Sequence, residues 1–220
     1  MRRRIVLLLS TMAAALLLAS GVGLLNAAKP AQATFPGVNG KIAFTSYRDA
    51  DGEIYTINPD GGGEFQVTNN DTHDESPNYS PNSKRIAYQG FDGTDFEIRT
   101  ITAGGGDKIK VTDNKWDDYS PSYSPNGQRI AYQGFEFDPD DRYDPEIYTI
   151  NVSGGGKFQV TNNDTYDYVP SYSPDGKRIA YMGYDGNDYE IYKISPTGGI
   201  PVNLTNNDTH EYEPSWGSRP

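Results

Sequence analysis

One phrase recurs along this chain, and its spacing constrains the fold more than any other feature. Its clearest copy is Pro170-Ser171-Tyr172-Ser173-Pro174, which continues through Asp175-Gly176 into Arg178-Ile179-Ala180-Tyr181. Anchored on the Ile-Ala pair, the copies lie 44, 44 and 49 residues apart, at Ile42, Ile86, Ile130 and Ile179. A period in the forties is typical of propeller blades, and also of stacked helix pairs.

The composition of each unit favours strands over helices. The units are rich in Tyr, Ile, Gly, Asn and Asp, which are strand and turn residues, and are poor in the Ala and Leu that helix pairs require. Each unit divides into a Pro-Ser-Tyr-Ser strand, an Arg-Ile-Ala-Tyr strand, an alternating strand and a short last strand. The alternating strands are Glu53–Ile57, Glu97–Ile101, Glu146–Ile150 and Glu190–Ile194. The sequence therefore predicts an all-β chain with no helix after residue 33.

The two ends of the chain carry complementary halves of the repeated phrase. Gly40–Phe44 supplies a second strand without a first, and Glu213–Trp216 supplies a first strand without a second. We expect a β-propeller of four blades, each of four antiparallel strands, in which pairing of the N- and C-terminal strands closes the ring. Two alternatives remain open: a piece of a longer ring, and a homodimer in which two chains form eight blades.

Residues 1–33 have the pattern of a secretory signal peptide. Arg2, Arg3 and Arg4 precede an apolar run from Ile5 to about Leu25, and Ala31-Gln32-Ala33 matches a small-residue cleavage site. We therefore expect an exported, periplasmic or extracellular protein whose propeller domain occupies residues 34–220. The alternative is an uncleaved membrane anchor, because the apolar run approaches the length of a bilayer span. After cleavage, no integral membrane segment is expected.

The charge of the chain excludes some classes of partner. The net charge is −11, and removing the four basic residues of the signal peptide takes it to −15. A surface this acidic repels nucleic acid and anionic lipid, and attracts basic protein surfaces or cations. There is no cysteine, so neither disulfides nor thiol chemistry is available.

The repeated motifs resemble those of a known family. Pro170–Tyr181, the Asp-Gly-x-x-x-Glu-Ile-Tyr pattern that ends at Tyr192, and the Val-Thr-Asn-Asn pattern at Val160–Asn163 are similar to the TolB-like, or WD-like, β-propeller repeat. The resemblance covers essentially all of residues 34–220. It implies an exported bacterial propeller that acts mainly as an interaction platform. The chain has fewer repeats than TolB and lacks its separate amino-terminal domain, so the partners of TolB do not transfer.

Acidic loops are the best candidates for a binding surface. In a four-stranded blade, the loop after the second strand and the loop after the fourth leave the same face. The aspartates that we assign to this face are Asp49, Asp51, Asp71, Asp74, Asp92, Asp95, Asp117, Asp118, Asp164, Asp167, Asp185, Asp188 and Asp208. Clustered carboxylates suit a basic partner surface or calcium, and the sequence does not decide whether a metal ion binds there. The alternative is that these loops bind nothing, because tight turns by themselves favour Asp, Asn and Gly.

Other polar residues offer little chemistry. His73 and His210 occupy equivalent repeat positions, with Trp116 and Tyr166 as their expected counterparts, so we interpret them as aromatic-sized loop residues. We expect Glu53, Glu97, Glu146 and Glu190 to pair across strands with Lys41, Arg85, Arg129 and Arg178. No nucleophile elbow, zinc-ligand spacing or phosphate-binding loop is present. Tyr166, Tyr168 and Tyr212 lie in the acidic loops, where they suit contact with a protein or a sugar.

The sequence thus predicts a non-enzymatic, exported propeller that binds protein partners and requires no cofactor. The first alternative is a propeller that binds a glycan or small ligand, with calcium as an aid. An enzyme ranks third, because some lyases and inverting enzymes need only a few carboxylates or tyrosines.

Overall fold

A computed structural model describes residues 40–48, 50–136 and 144–217 of the chain. The predicted signal peptide, Asp49 and most of the extra residues of the third repeat unit lie outside the described residues. The described part contains strands and no helix, which confirms the all-β prediction. It accordingly offers no helix of the length and apolar character that crossing a bilayer requires.

The strands form four antiparallel sheets, one for each repeat unit. Sheet 1 contains β1 (Ile42–Ser46), β2 (Glu53–Ile57) and β3 (Phe65–Gln66). Sheet 2 contains β4 (Asp74–Tyr79), β5 (Arg85–Phe91), β6 (Phe96–Thr102) and β7 (Ile109–Lys110). Sheet 3 contains β8 (Asp118–Tyr123), β9 (Arg129–Gly134), β10 (Glu146–Asn151) and β11 (Phe158–Gln159). Sheet 4 contains β12 (Asp167–Tyr172), β13 (Ile179–Tyr184), β14 (Tyr189–Ile194) and β15 (Val202–Asn203). In every sheet the strands lie side by side in chain order, as in a propeller blade.

The turn after the first strand of each unit explains why the repeated phrase forms a hairpin. In sheet 4, Gly176 takes a positive φ of 68°, and its N–H donates to the carbonyl of Ser173 at 2.9 Å. The Ser173 hydroxyl accepts from the backbone of Arg178 at 3.0 Å. Ser124 and Gly127 have the same roles in sheet 3. In sheet 2, Ser83 takes the place of the glycine with a φ of 57°, so the turn requires the left-handed conformation that glycine adopts most readily.

Packing between neighbouring sheets forms the core. Ile54 and Val67 of sheet 1 pack against Ile86 and Tyr88 of sheet 2. The corresponding residues of sheets 2 and 3, and of sheets 3 and 4, form two further buried clusters. Each fully buried side chain of this size contributes about 1.5–3 kcal/mol relative to exposure. The tyrosine and isoleucine of the repeated phrase are therefore core residues that join one blade to the next.

The first strands of sheets 2, 3 and 4 share a bulge that links neighbouring blades. Ser76, Ser120 and Val169 take φ values of 54°, 53° and 49°, and the strand register shifts there. Their freed N–H groups donate to the preceding sheet. Gln89 accepts from Ser120 at 3.0 Å, and Gln133 accepts from Val169 at 2.9 Å.

The chain forms the four predicted blades, three of them with four strands. Sheet 1 has three strands, because Glu213–Trp216 forms no strand beside β1 in the described part of the chain. Closure of the ring by the two ends therefore stays a prediction. Glu213 nevertheless has a φ of 50°, the same left-handed conformation as the bulge residues of the other first strands. The position that would accept its N–H, in the place of Gln89 and Gln133, is Met182, which has no side-chain acceptor of comparable strength.

Candidate functional site

The strand registers place two sets of loops at the same ends of the sheets. In sheet 2, Asp74 of β4 pairs with Gly90 of β5, and Gly90 pairs with Glu97 of β6. The loop that precedes β4 and the loop that joins β5 to β6 therefore lie side by side. The same registers occur in sheets 3 and 4. We call this end of the molecule the loop face.

The predicted aspartates of the loop face differ widely in exposure. The exposed ones are Asp71, Asp92, Asp164, Asp185 and Asp208. Asp51 and Asp117 are half-buried, and the buried ones are Asp74, Asp95, Asp118, Asp167 and Asp188. Asp49 lies outside the described residues. Only the exposed group can contact a partner without rearrangement of the loops.

A hydrogen-bond network explains why the aspartates that begin the first strands are buried. In the loop that joins sheets 2 and 3, the carboxylate of Glu97 accepts from the Thr112 hydroxyl at 2.5 Å and from the Asn114 backbone at 2.7 Å. The Asn114 side chain then donates to Asp118 at 2.7 Å. We call this set the Glu–Thr–Asn–Asp network. The same bonds recur with Glu146, Thr161, Asn163 and Asp167, and with Glu190, Thr205, Asn207 and Glu211. With Glu53, Asn70 and Asp74 only the two asparagine bonds recur, and the Thr68 hydroxyl accepts from the backbone of Ile54.

A glycine on the adjacent strand makes room for each buried aspartate. A Cβ atom at Gly134 would lie 2.9 Å from Oδ1 of Asp118, and one at Gly90 would lie 2.6 Å from Oδ1 of Asp74. Gly183 stands in the same relation to Asp167 at 2.9 Å. The Gln-Gly and Met-Gly pairs of the second strands are therefore part of the network's geometry.

Burial shifts the acid–base behaviour of the network. It raises the pKa of Asp118 to about 8 and that of Asp74 to about 6, and it also raises the pKa values of Glu146 and Asp167. At neutral pH, Asp118 thus favours its protonated form. The loop face consequently carries less negative charge than a count of its acidic residues suggests.

The predicted pairing of the strand glutamates with basic residues was wrong. Glu97 pairs in register with Gly90, whereas Arg85 pairs with Thr102 at the other end of the same two strands. Arg85 instead bonds Thr100 and forms an ion pair with Asp107 at 2.6 Å. The glutamates and the basic residues lie at opposite ends of the paired strands, because strand register decides which residues lie opposite one another.

The two histidines act as hydrogen-bond acceptors within the loop face. Nδ1 of His73 accepts from the backbone of Gly52 at 3.0 Å, and Nδ1 of His210 accepts from the backbone of Tyr189 at 3.1 Å. In sheet 2 the same bond is made to Oδ1 of Asp117, which accepts from Phe96 at 2.8 Å. The counterpart of the histidines in the second repeat is therefore Asp117, and the expected counterpart Trp116 was wrong by one position.

Aromatic rings form a continuous line across the loop face that the sequence only hinted at. Successive centroids lie 5.1–6.4 Å apart along Phe96, Tyr119, Phe135, Tyr168, Tyr189 and Tyr212. We call these six residues the aromatic belt. Tyr212 is 60% exposed and the other five are half-buried. Tyr166, 41% exposed, contacts the belt through Tyr168.

The opposite end of the sheets contains a cavity of about 450 Å³. Its lining repeats with the blades: Tyr123, Tyr172 and Trp216 occupy equivalent positions, as do Ser122, Ser171 and Ser215. The C-terminal segment therefore shares the cavity with the first strands of sheets 3 and 4. None of the predicted aspartates lines it.

Comparison with known proteins now assigns the family. The family model described as the TolB beta propeller domain matches residues 38–219. The chain belongs to this family. No curated protein sequence matches it significantly.

Solved structures agree with this TolB-type fold. A TolB structure from Agrobacterium tumefaciens has a TM-score of 0.65 and 21% identity, covering 73% of this chain and 59% of that one. TolB from Acinetobacter baumannii has a TM-score of 0.62 and 21% identity, covering 75% and 40%. An oligogalacturonate lyase from Vibrio parahaemolyticus has a TM-score of 0.58 and 11% identity, covering 77% and 50%. The chain thus spans between two-fifths and three-fifths of the length of these proteins, and at such identities the similarity shows the fold alone.

Proposed function

We propose that this TolB-type propeller is exported, performs no reaction of its own, and binds a protein partner with a basic surface through its loop face. The observation that carries the proposal is the aromatic belt, which lies partly exposed on the same face as the carboxylates of Asp71, Asp164 and Asp208. Export is supported by the signal-peptide pattern of residues 1–33.

The belt has the properties of a protein-binding surface. Tyrosine and phenylalanine are enriched in interfaces, because their rings bury a large area and lose little side-chain entropy. Here the rings contact one another, so their positions are set before a partner arrives. Preorganisation of this kind lowers the entropic cost of binding.

The exposed aspartates would supply steering and selectivity. Asp71, Asp164 and Asp208 occupy the same position in three repeat units, and Lys115 occupies it in the second. Carboxylates at the rim of an interface raise the association rate with basic partners and reject acidic ones. Their effect should weaken as salt concentration rises.

Binding of a glycan is the second candidate, because exposed tyrosine rings such as Tyr212 offer flat apolar faces to sugar rings as well as to proteins. The two candidates differ in their dependence on charge. The affinity for a neutral glycan would fall when the aromatic rings are removed and would not change when the aspartates are replaced by lysine.

Affinity capture from an envelope extract of the source organism tests the proposal. The bait is the chain from Thr34 onward, beside a variant with Asp71, Asp164 and Asp208 changed to lysine. A matched control changes Asp60, Asp107 and Asp175 to lysine, since these exposed residues lie at the other end of the sheets. Melting temperatures confirm that all three baits are folded.

We expect a protein that the native bait and the control retain and that the loop-face variant loses. Equal retention by all three baits would contradict the assignment of the loop face. If the native bait retains no protein but binds an immobilised neutral glycan, the glycan alternative replaces the proposal.

A further inference from the structure

Two sheets carry the same trio of carboxylates in the loop between their second and third strands. The trios are Asp92, Asp95 and Glu97 in sheet 2, and Asp185, Asp188 and Glu190 in sheet 4. In each trio, one oxygen from every residue lies within 4.8 Å of the others. Three carboxylates this close repel one another unless a cation or a proton lies between them.

Sheet 2 supplies that cation from its own fourth strand. The Lys110 ammonium lies 3.0 Å from Oδ2 of Asp92 and 3.5 Å from Oε1 of Glu97. It also contacts Asp113. The ammonium therefore offsets part of the repulsion within this trio.

Sheet 4 has no equivalent cation among the described residues. The position of Lys110 is taken by Asn203, whose side chain bonds Tyr192 and the backbone of Thr205. Within the described part of the chain, no lysine or arginine nitrogen lies within 4.0 Å of the trio's oxygens. Among the described residues, the trio thus lacks the cationic partner that its counterpart in sheet 2 has.

One oxygen of this trio also lacks a hydrogen bond. Asp188 is only 3% exposed, and its Oδ2 accepts from the Asn187 amide at 3.2 Å. Its Oδ1 is buried and has no hydrogen-bond partner in the described structure. A buried carboxylate oxygen without a partner is costly, and a bound cation would offset that cost.

We infer that Asp185, Asp188 and Glu190 bind a divalent cation, with calcium as the preferred ion, at the position that Lys110 occupies in sheet 2. Carboxylate oxygens are the donors that hard cations prefer. Asp185 is exposed, so water can complete the coordination sphere from the solvent side. The cation would join the β13–β14 loop to the Glu190 network, beside Tyr189 of the aromatic belt. This inference does not depend on whether the loop face binds a protein.

Calcium titration of the purified protein tests the inference. We expect one calcium ion per chain by calorimetry, with an affinity in the range of about 0.1–1 mM that is common for extracellular modules. At about 5 mM calcium, the melting temperature should then rise by about 3–7 °C relative to chelator. Absence of both binding heat and a melting shift would overturn the inference.

The chain provides its own matched control variants. Asn203→Lys transfers the lysine of sheet 2 into sheet 4, so it should abolish calcium binding and leave the protein folded. Asp188→Asn should also abolish it. If either variant binds calcium as the native protein does, the ion binds elsewhere and the inference fails.

The reciprocal variant tests whether removal of the lysine creates a second calcium site in sheet 2. Lys110→Asn removes the ammonium from the sheet 2 trio, and we expect the stoichiometry to rise from one calcium ion to two. A stoichiometry that stays at one would contradict the claim that lysine and calcium occupy equivalent positions.

Discussion

Replacement of Asp118 by asparagine tests whether the buried network is protonated at neutral pH. Asp118 is fully buried at the start of β8, where the Asn114 amide donates to its Oδ2 and its Oδ1 has no partner. Asparagine has nearly the shape of protonated aspartic acid, and its amide oxygen can keep the bond from Asn114. The variant should therefore resemble the native protein in its low-pH form.

The sign of the effect follows from the direction of the pKa shift. Burial raises the pKa of Asp118 from 3.8 to about 8 in the folded protein. A raised pKa means that the folded state holds a proton that the unfolded state has released. Its contribution to stability is complete below pH 4, and it is lost as the pH rises toward 8. The native protein should thus lose stability relative to Asp118→Asn across this range.

The size of this change in the free energy of unfolding depends on the pH interval that is compared. Each pH unit between the two pKa values changes the free energy of unfolding by about 1.4 kcal/mol, so the interval from pH 5 to pH 7 corresponds to about 2.7 kcal/mol. Relaxation of the loop around the ionised form reduces this figure, and we expect a change between about 1 and 2.7 kcal/mol.

Urea unfolding of both proteins at pH 5 and pH 7 measures this difference. The free energy of unfolding of the variant minus that of the native protein should rise with pH, whatever the substitution costs at pH 5. Asp71→Asn, at an exposed loop position, serves as the control, and its difference should stay constant. A constant difference for Asp118→Asn as well would refute the assignment of a protonated network.

Two further predictions concern the links between blades. Gln133→Ala should cost about 1–3 kcal/mol, because it leaves the bulge N–H of Val169 without its acceptor, and thermal unfolding measures the loss. Gln159→Ala, at an exposed position, should cost far less, and equal losses would contradict the argument. Met182→Gln should supply the missing acceptor for the Glu213 N–H, so that residues 211–217 exchange amide hydrogens more slowly. Unchanged exchange in this segment would refute the proposed equivalence of Glu213 with the bulge residues.

The repeat period and the turn residues made the fold predictable. The turn after the first strand has serine and, in sheets 3 and 4, glycine at the positions that its geometry favours, as at Ser173 and Gly176, so local chemistry marks this hairpin in the sequence. The predicted first strand of sheet 1, Glu213–Trp216, has no such local determinant. Its pairing would depend on a contact between segments about 170 residues apart, which no local pattern determines.

The candidate site was predicted only in outline, because exposure depends on contacts between loops. Asp71 and Asp74 look alike in the sequence, yet one is exposed and the other is bonded to Asn70 in the buried network. The spacing of the network residues in the sequence was a signal of the network. In every unit the threonine and asparagine follow the glutamate by 15 and 17 residues, and an acid follows four residues later. The position of a glycine opposite the acid is visible only in the register.

Only two residues of the aromatic belt, Tyr168 and Tyr212, were predicted as contact residues, for a related reason. Tyr119, Tyr168 and Tyr212 each follow the acid of the network by one residue, which marks them as equivalent positions. Whether these tyrosines contact the rings of the next sheet depends on the angle between successive sheets, and the sequence of a single unit does not determine that angle. Phe96 and Phe135 complete the line only when the sheets are packed together.

Hydrogen exchange of the captured complex is the most direct test of the loop face as the binding surface. We expect the partner to slow exchange in the loops at residues 69–73, 91–96 and 162–166, and to leave the turns at residues 81–84 and 125–128 unchanged. Protection of those turns, which adjoin the cavity at the other end of the sheets, with no protection of the loop face, would contradict the account.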